Sequence, residues 1–128
     1  MAATQTVLPD LPGEQAETVS DLLTLLANRR RREVIRVLSN RGHDWCDLRI
    51  VAEAVTANIE GREPEDLKRA EVERVRISLY QTHIPSLDEA GILKIRRRGN
   101  AIQQGPRFDT AVSVTQAVID TTLNGGSE

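Results

Sequence analysis

The chain has 128 residues, enough for one domain with a single core, and its net charge is −2. Only Trp45, Tyr80 and Phe108 are aromatic, so the core must be aliphatic, and a platform of stacked rings for single-stranded nucleic acid is excluded. The single cysteine excludes an intramolecular disulfide and fits a cytoplasmic protein, and the lack of a signal-peptide pattern or an apolar run near roughly 20 residues predicts no membrane contact.

The N-terminal part of the chain predicts a tail followed by two helices. Residues 1–17 contain Pro9, Pro12 and Gly13 without a sustained period and predict a disordered tail. A leucine-rich turn between Ser20 and Ala27 predicts the first helix, and Asn28 interrupts it. The apolar residues of 30–39 then share one helical face, and the second helix is expected to end before Gly42.

The middle of the chain predicts two further helices. Asp47 is a good N-cap, and a buried stripe with helical spacing follows it until Gly61 closes the helix. Pro64, followed by two acids, suits the start of a long helix that runs to about Ala90. Pro85 removes a backbone donor from this helix, which predicts a kink near Thr82. The residues expected to face the core are Val72, Val75, Leu79 and Leu87.

The C-terminal part predicts a hairpin and a last helix. Apolar and charged residues alternate over residues 93–96, Gly99-Asn100 is a turn pair, and residues 101–104 return as the partner strand. Residues 108–123 favour a helix, although their β-branched residues leave a strand open, and 124–128 predict a tail. The expected fold is therefore mainly α with a small β-hairpin: a winged helix-turn-helix over residues 18–107 plus a C-terminal helix.

Two segments carry a resemblance to known families. The helix that opens at Leu26-Ala27-Asn28-Arg29-Arg30 and the stretch His83–Leu93 are similar to the opening helix and the recognition-helix end of ArsR-type repressors. Residues 77–85 and 87–91 look more closely like a large haloarchaeal family of small winged-helix domains of unassigned function. The resemblance covers about residues 20–104 and implies a DNA-binding transcriptional regulator. The metal-binding cysteine pair of the ArsR-type repressors is absent, and the segment between the two helix-turn-helix helices is longer.

The second half of the long helix offers a candidate recognition face. Its polar positions point outward once the apolar ones turn inward, and Arg and Gln side chains can read guanine and adenine in a major groove. The alternative is an ordinary solvated helix face. The candidate residues are Arg76, Ser78, Gln81, Thr82 and Ser86.

The hairpin offers a candidate wing. Positive charge is concentrated at residues 29–36, with a sum of +4, and at residues 94–107, with +5, which leaves −11 for the rest of a chain of net charge −2. Adjacent arginines at a hairpin tip can contact phosphates or enter a narrow minor groove. Protection of an exposed strand edge is the alternative. The candidate DNA-binding residues of the wing are Lys94, Arg96, Arg97, Arg98, Asn100 and Arg107.

The other polar clusters predict less. The arginines of 29–32 stand at a helix start, where positive charge is unfavourable, so either phosphate or acids such as Glu33 must offset them. His43 and Cys46 supply two metal ligands where a structural zinc site needs four, so no metal and no other cofactor is expected. No triad, phosphate loop or pair of carboxylates stands out, so the chain is not expected to be an enzyme, and no small-molecule ligand is evident.

Together these features predict a double-stranded DNA-binding protein, a transcriptional regulator that acts as a homodimer. The dimer is inferred from an apolar face of the last helix, which includes Ala111, Val112, Val118, Ile119 and Leu123. A winged-helix adaptor that binds proteins and not DNA is the first alternative, because the remainder of the chain is acidic. A redox or metal sensor that uses Cys46 and His43 is the second.

Overall fold

Six α-helices and one three-stranded sheet form the part of the chain that the structure, a computed structural model, describes: the backbone of residues 13–126 and the side chains of residues 19–120. The elements are α1 (Gly13–Leu25), α2 (Arg29–Ser39), β1 (Cys46–Asp47), α3 (Leu48–Glu60), α4 (Arg69–Ser78), α5 (Ile84–Glu89), β2 (Leu93–Arg96), β3 (Ala101–Gln104) and α6 (Phe108–Gly126).

Two side-chain caps and one glycine set the predicted limits of α2 and α3. The Asn28 side chain accepts a hydrogen bond from the Arg31 amide at 3.1 Å, and Asp47 accepts one from the Arg49 amide at 2.8 Å. Gly61 ends α3 in the left-handed region with φ of 66°, which favours glycine. The Asp47 cap and the Gly61 end were predicted, and the structure confirms them, whereas Asn28, predicted only to interrupt the helical pattern, caps α2.

The continuous helix expected from Pro64 is wrong. Pro64–Asp66 forms a separate 3₁₀ turn, Leu67 and Lys68 are extended, and α4 begins at Arg69. The Lys68 amide donates to the Glu71 carboxylate at 2.7 Å, so Glu71 caps a new helix start. The irregularity expected near Thr82 is confirmed, as a π-helical turn, Leu79–His83, between α4 and α5.

The sheet contains the predicted hairpin and one strand that the sequence did not predict. Strands β2 and β3 pair antiparallel with Leu93 opposite Gln104 and Arg96 opposite Ala101. The two residues of β1 pair with the other edge of β3, which gives the order β1-β3-β2. A strand between α2 and α3 and a hairpin after α5 are compatible with a helix-turn-helix that carries a wing.

The core is aliphatic, as expected, and α6 takes part in it. Phe108 and Ala111 of α6 are 3% and 0% exposed, and α6 packs against α1 and α2. Part of the face predicted for a dimer contact is therefore buried within one chain, because Ala111 lies in its core. Val112, Val118 and Ile119 keep intermediate exposure, and the side chain of Leu123 lies outside the described residues.

Both predicted chain ends need correction where they can be compared. Helix α1 begins at Gly13, inside the segment expected to be a tail, and α6 extends to Gly126 instead of ending at residue 123. The rest of the predicted tails, residues 1–12 and 127–128, lies outside the described residues. Within the described residues, no helix has the length and apolarity needed to cross a membrane.

Candidate nucleic-acid interface

The wing, which we define as residues 93–104, holds two arginines in an unusual backbone conformation at its tip. Arg97 and Arg98 have φ values of 54° and 58°, in the left-handed region that costs a non-glycine residue roughly 1–2 kcal/mol. The turn begins at Arg97, earlier than the predicted Gly99-Asn100 pair. Both the backbone amide and the side-chain amide of Asn100 donate to the Arg97 carbonyl at 3.1 Å, so Asn100 closes the turn.

Three cations of the wing are exposed and engage no acid. Lys94, Arg97 and Arg98 point to solvent, and none of them forms an ion pair with a described residue. Arg96 is held in place, since its guanidinium lies 4.0 Å from the centroid of the Trp45 ring in a cation–π contact. The wing thus presents free positive charge to solvent and holds Arg96, at the tip end of β2, against the Trp45 ring beside β1.

Arg107 does not join the wing tip. Its guanidinium donates to the Ala90 carbonyl at 3.4 Å, and its backbone amide donates to the Gly91 carbonyl at 2.9 Å. The tip lies where Arg96 pairs with Ala101, whereas Arg107 follows the opposite end of β3. The sequence grouped Arg107 with the wing arginines because they are near in the chain, but the strand carries it to the far end of the hairpin.

The predicted recognition residues do not share one free face. Arg76 donates to both carboxylate oxygens of Glu73, at 3.1 and 2.7 Å, and Ser78 accepts a hydrogen bond from Arg30 at 2.8 Å. The half-buried Ser86 donates its hydroxyl to the Thr82 carbonyl at 3.1 Å. Gln81 and Thr82 are exposed. Only these two of the five candidates present free polar side chains to solvent.

The wing tip lies beside the π turn. A Cβ added at Gly99 would lie 3.4 Å from the Tyr80 ring. At about 100° of rotation per residue, the side opposite the buried Val72, Val75 and Leu79 carries a different set of outward residues. These are Ala70, Glu73, Arg74, Ile77 and Gln81.

A second basic pair lies at the other end of α4, and the sequence did not single it out. Arg49 of α3 and Arg69 of α4 line one depression, together with Glu53. The hydrogen bonds from Arg76 lower the pKa of the Glu73 carboxyl, and the nearby charges of Arg49 and Arg69 act in the same direction. One signal for Arg49 was available, because it follows the N-cap Asp47 and lies outside the apolar stripe of α3.

The wing and this pair form one continuous surface, which we call the basic face. It runs from Gly99 to Tyr80, Arg76 and Glu73, and ends at the Arg49–Arg69 pair. Its cations are Arg49, Arg69, Arg76, Lys94, Arg96, Arg97 and Arg98.

The arginine run that opens α2 has a structural role that neither alternative anticipated. Arg32 donates to the carbonyls of Leu26 and Ala27 at 3.0 and 2.8 Å, and Arg31 donates to the Leu25 carbonyl at 3.3 Å. These carbonyls belong to the C-terminal end of α1, where positive charge is favourable. The run therefore joins two helices, while Glu33 pairs with Arg36 at 4.0 Å.

His43 and Cys46, the two residues of the alternative metal or redox sensor, differ in exposure. Cys46 is buried, and burial raises the pKa of its thiol, which disfavours the reactive thiolate. His43 is exposed, and its carbonyl accepts from the Gln103 side chain. Among the described residues, no group of three or more potential ligands lies close enough to hold a metal ion.

His83 is a buried base that the fold keeps neutral. The residue is 7% exposed, and its Nδ1 accepts a hydrogen bond from Arg31 Nε at 3.0 Å. Burial lowers the pKa of His83, and the charges of Arg31 and Arg30 lower it further.

This shift predicts a stability that depends on pH. We expect the free energy of unfolding to fall as the pH drops below about 6.5, because the unfolded chain then binds a proton that the folded chain refuses. His83→Asn keeps an acceptor for Arg31 and removes the titration, so urea unfolding of this variant should show a flatter pH dependence. His43→Asn is the matched control and should keep the wild-type slope. Equal slopes for wild type and His83→Asn would contradict the assignment.

Comparison with known proteins adds a family and no function. A family model described as "Domain of unknown function (DUF7344)" matches residues 23–103, more than half of the chain. The match runs from α1 through the basic face to β3, and it assigns no winged-helix, ArsR-type or haloarchaeal relationship. No curated protein and no solved structure matches the chain.

Proposed function

We propose that this chain, which belongs to the DUF7344 family of domains of unknown function, binds double-stranded DNA as a cytoplasmic transcriptional regulator. The observation that carries the proposal is the wing tip, where Arg97 and Arg98 are exposed, unpaired within the described residues and held in left-handed backbone conformations. Glycine would fit those two positions without strain, so arginine there lowers the stability of the fold. Phosphate binding by the two arginines would explain this cost.

The rest of the basic face supports the same proposal. Its two free groups of cations, at the wing tip and around Arg49 and Arg69, flank the outward side of α4. We expect a winged helix-turn-helix to contact the DNA backbone on both sides of a groove from such positions. The similarity of residues 77–91 to haloarchaeal winged-helix domains agrees with this use.

The proposed roles differ along the face. Lys94, Arg97 and Arg98 contact phosphates and give affinity without sequence preference. Gln81, exposed in the π turn that follows α4, contacts a base edge, and Asn100 holds the wing turn in shape. Arg76 can contact a guanine only after its ion pair with Glu73 breaks, so the free energy of breaking that pair reduces what Arg76 adds to DNA affinity.

This division of roles makes a prediction about specificity. Gln81→Ala should lower the affinity for a selected operator several-fold and leave the affinity for random duplex unchanged, since a lost bidentate base contact costs about 1–3 kcal/mol. Arg97→Ala should weaken both duplexes equally. Fluorescence anisotropy with both DNA molecules distinguishes the two patterns. If the two variants change both affinities alike, the proposed division is wrong.

The proposal includes a homodimer. Val19 and Leu23 of α1 are 44% and 46% exposed and lie one helical turn apart, and α6 packs beside them with Val112 and Ile119 half-buried. A second copy that covers Val19 and Leu23 would present two wings to half-sites about one helical turn of DNA apart. Sedimentation equilibrium of the wild type and of Leu23→Glu tests this arrangement.

A protein-binding adaptor is the second candidate, and one groove favours it. An open groove of about 700 Å³ lies between α5 and the wing, with Tyr80 and Ile95 each 37% exposed along it. Asp88 and Glu89 line the same groove and would repel a phosphate backbone. The salt dependence of DNA binding separates the candidates, because an adaptor should bind duplex DNA weakly at any salt concentration.

A further inference from the structure

A small cavity lies between α2 and α6, away from the basic face. It has a volume of about 120 Å³, and its wall includes Ile35, Val112 and Ile119. Arg36 and Asn40 also line it, and they are exposed. The cavity therefore combines an apolar wall with polar groups that reach solvent.

One wall group of this cavity has no hydrogen-bond partner among the described residues. Thr115 lines the cavity and is 7% exposed, and its buried hydroxyl bonds to none of those residues. A threonine within a helix ordinarily bonds back to the carbonyl four residues earlier, as Thr56 does to Ala52 at 2.7 Å. A buried hydroxyl is costly unless it is hydrogen-bonded, so the Thr115 hydroxyl in the cavity wall favours a ligand that accepts from it.

The lining limits the chemistry of that acceptor. Arg36 is the one charged residue among those that line the cavity, and its contact with Glu33 is long, at 4.0 Å, with 54% of its own side chain exposed. A volume of about 120 Å³ equals roughly four times the 30 Å³ share of a water molecule, so it admits a short aliphatic chain. We propose that the cavity binds a small monocarboxylate, with its tail against Ile35, Val112 and Ile119, one oxygen accepting from Thr115 and the charge near Arg36.

The test uses the full chain and pentanoate as the probe. Titration with sodium pentanoate, against sodium chloride at equal ionic strength, should produce saturable shifts in the amide resonances of Ile35, Val112, Thr115 and Ile119. The expected dissociation constant is on the order of 1 mM, as befits so small a ligand. Pentanamide, which keeps the tail and lacks the charge, should bind at least about fivefold more weakly.

Two variants and a control assign the contacts. Thr115→Val preserves the shape, and it should weaken pentanoate binding by about fivefold while raising the melting temperature, since the unsatisfied hydroxyl is removed. Thr110→Val makes the same change at an exposed position of α6 and should do neither. Arg36→Gln, at an exposed position of α2, should weaken binding of pentanoate and leave that of pentanamide unchanged.

Several outcomes would overturn the site. They are the absence of saturable shifts at several times the expected dissociation constant, equal affinity for pentanoate and pentanamide, and unchanged pentanoate binding in Thr115→Val. A fall in the melting temperature of Thr115→Val would show that the hydroxyl already has a partner, and it would equally contradict the inference. None of these outcomes depends on DNA binding, so this site and the proposed function are tested separately.

Discussion

The double variant Arg97→Ala/Arg98→Ala is expected to lose affinity for random duplex DNA by about tenfold or more at low salt. Each arginine that contacts a phosphate releases condensed counterions, so the slope of log affinity against log salt should become shallower by about 1.8 for the pair. The side chains are exposed and make no ion pair with the described residues, so the folded structure should be unaffected. Anisotropy titrations of both proteins across a salt series measure the two quantities.

A charge-matched control separates local contact from net charge. Arg29→Ala/Arg41→Ala removes the same two charges from exposed arginines outside the basic face. This variant should keep nearly the wild-type slope, because its arginines lie at the start of α2 and in the loop after it. If both double variants flatten the slope equally, the wing has no special part in binding.

Replacing the same two arginines by glycine separates backbone strain from DNA binding. Arg97→Gly/Arg98→Gly relieves two left-handed non-glycine residues, and the larger entropy that glycine loses on folding offsets part of the gain, so the free energy of unfolding should rise by about 1–2 kcal/mol in total. The same substitution should weaken DNA binding. A gain in stability joined to a loss of binding is the pattern expected where function maintains backbone strain.

The substitution Gly105→Ala is expected to cost about 2–3 kcal/mol of stability, a large effect for the addition of one methyl group. A Cβ at Gly105 would lie 2.7 Å from the Gly91 carbonyl oxygen and 2.8 Å from the Ile92 carbonyl carbon. These are backbone atoms, and they are held in place because the Gly105 amide donates to Ile92 O at 2.7 Å and Arg107 donates to Gly91 O at 2.9 Å. Neither atom can move without opening the base of the hairpin.

Gly61→Ala serves as the comparison for this prediction. Gly61 has φ of +66° and no atom within 4 Å of an added Cβ, so alanine there meets backbone strain alone, about 1 kcal/mol. Urea unfolding of both variants should therefore place Gly105→Ala clearly below Gly61→Ala. Equal stabilities would mean that the chain between Gly91 and Gly105 adjusts freely and does not hold the wing base.

The predictable parts of the fold are those specified by nearby residues. Asn28 and Asp47 cap their own helices, Gly61 ends one, and the alternation after Gly91 marks the hairpin. Strand β1 could not be predicted in this way, since its two residues extend only through pairing with Ala101 and Ile102. The helix start was misplaced because Pro64 suits the first position of a helix. The structure begins α4 at Arg69 instead, where the Glu71 carboxylate accepts from the Lys68 amide.

The same distinction applies to the candidate site. The wing cations follow from one charged segment, whereas Arg49 and Arg69 come together only when α3 packs against α4. The hydrogen bond that Ser78 accepts could not be predicted from its position on the helix, because the donor, Arg30, lies on another helix. Arg107 is near Arg98 in sequence, but the full length of β3 lies between them, so Arg107 is at the opposite end of the hairpin from the wing tip.

The central proposal is that the basic face binds duplex DNA, and one measurement tests it most directly. Fluorescence anisotropy of the wild-type chain with random duplex DNA across a salt series should show binding at low salt and a steep loss as salt increases. Contacts with about six phosphates would give a slope near −5. Absence of binding even at the lowest salt concentration would contradict the proposal and would favour the protein-binding groove beside the wing.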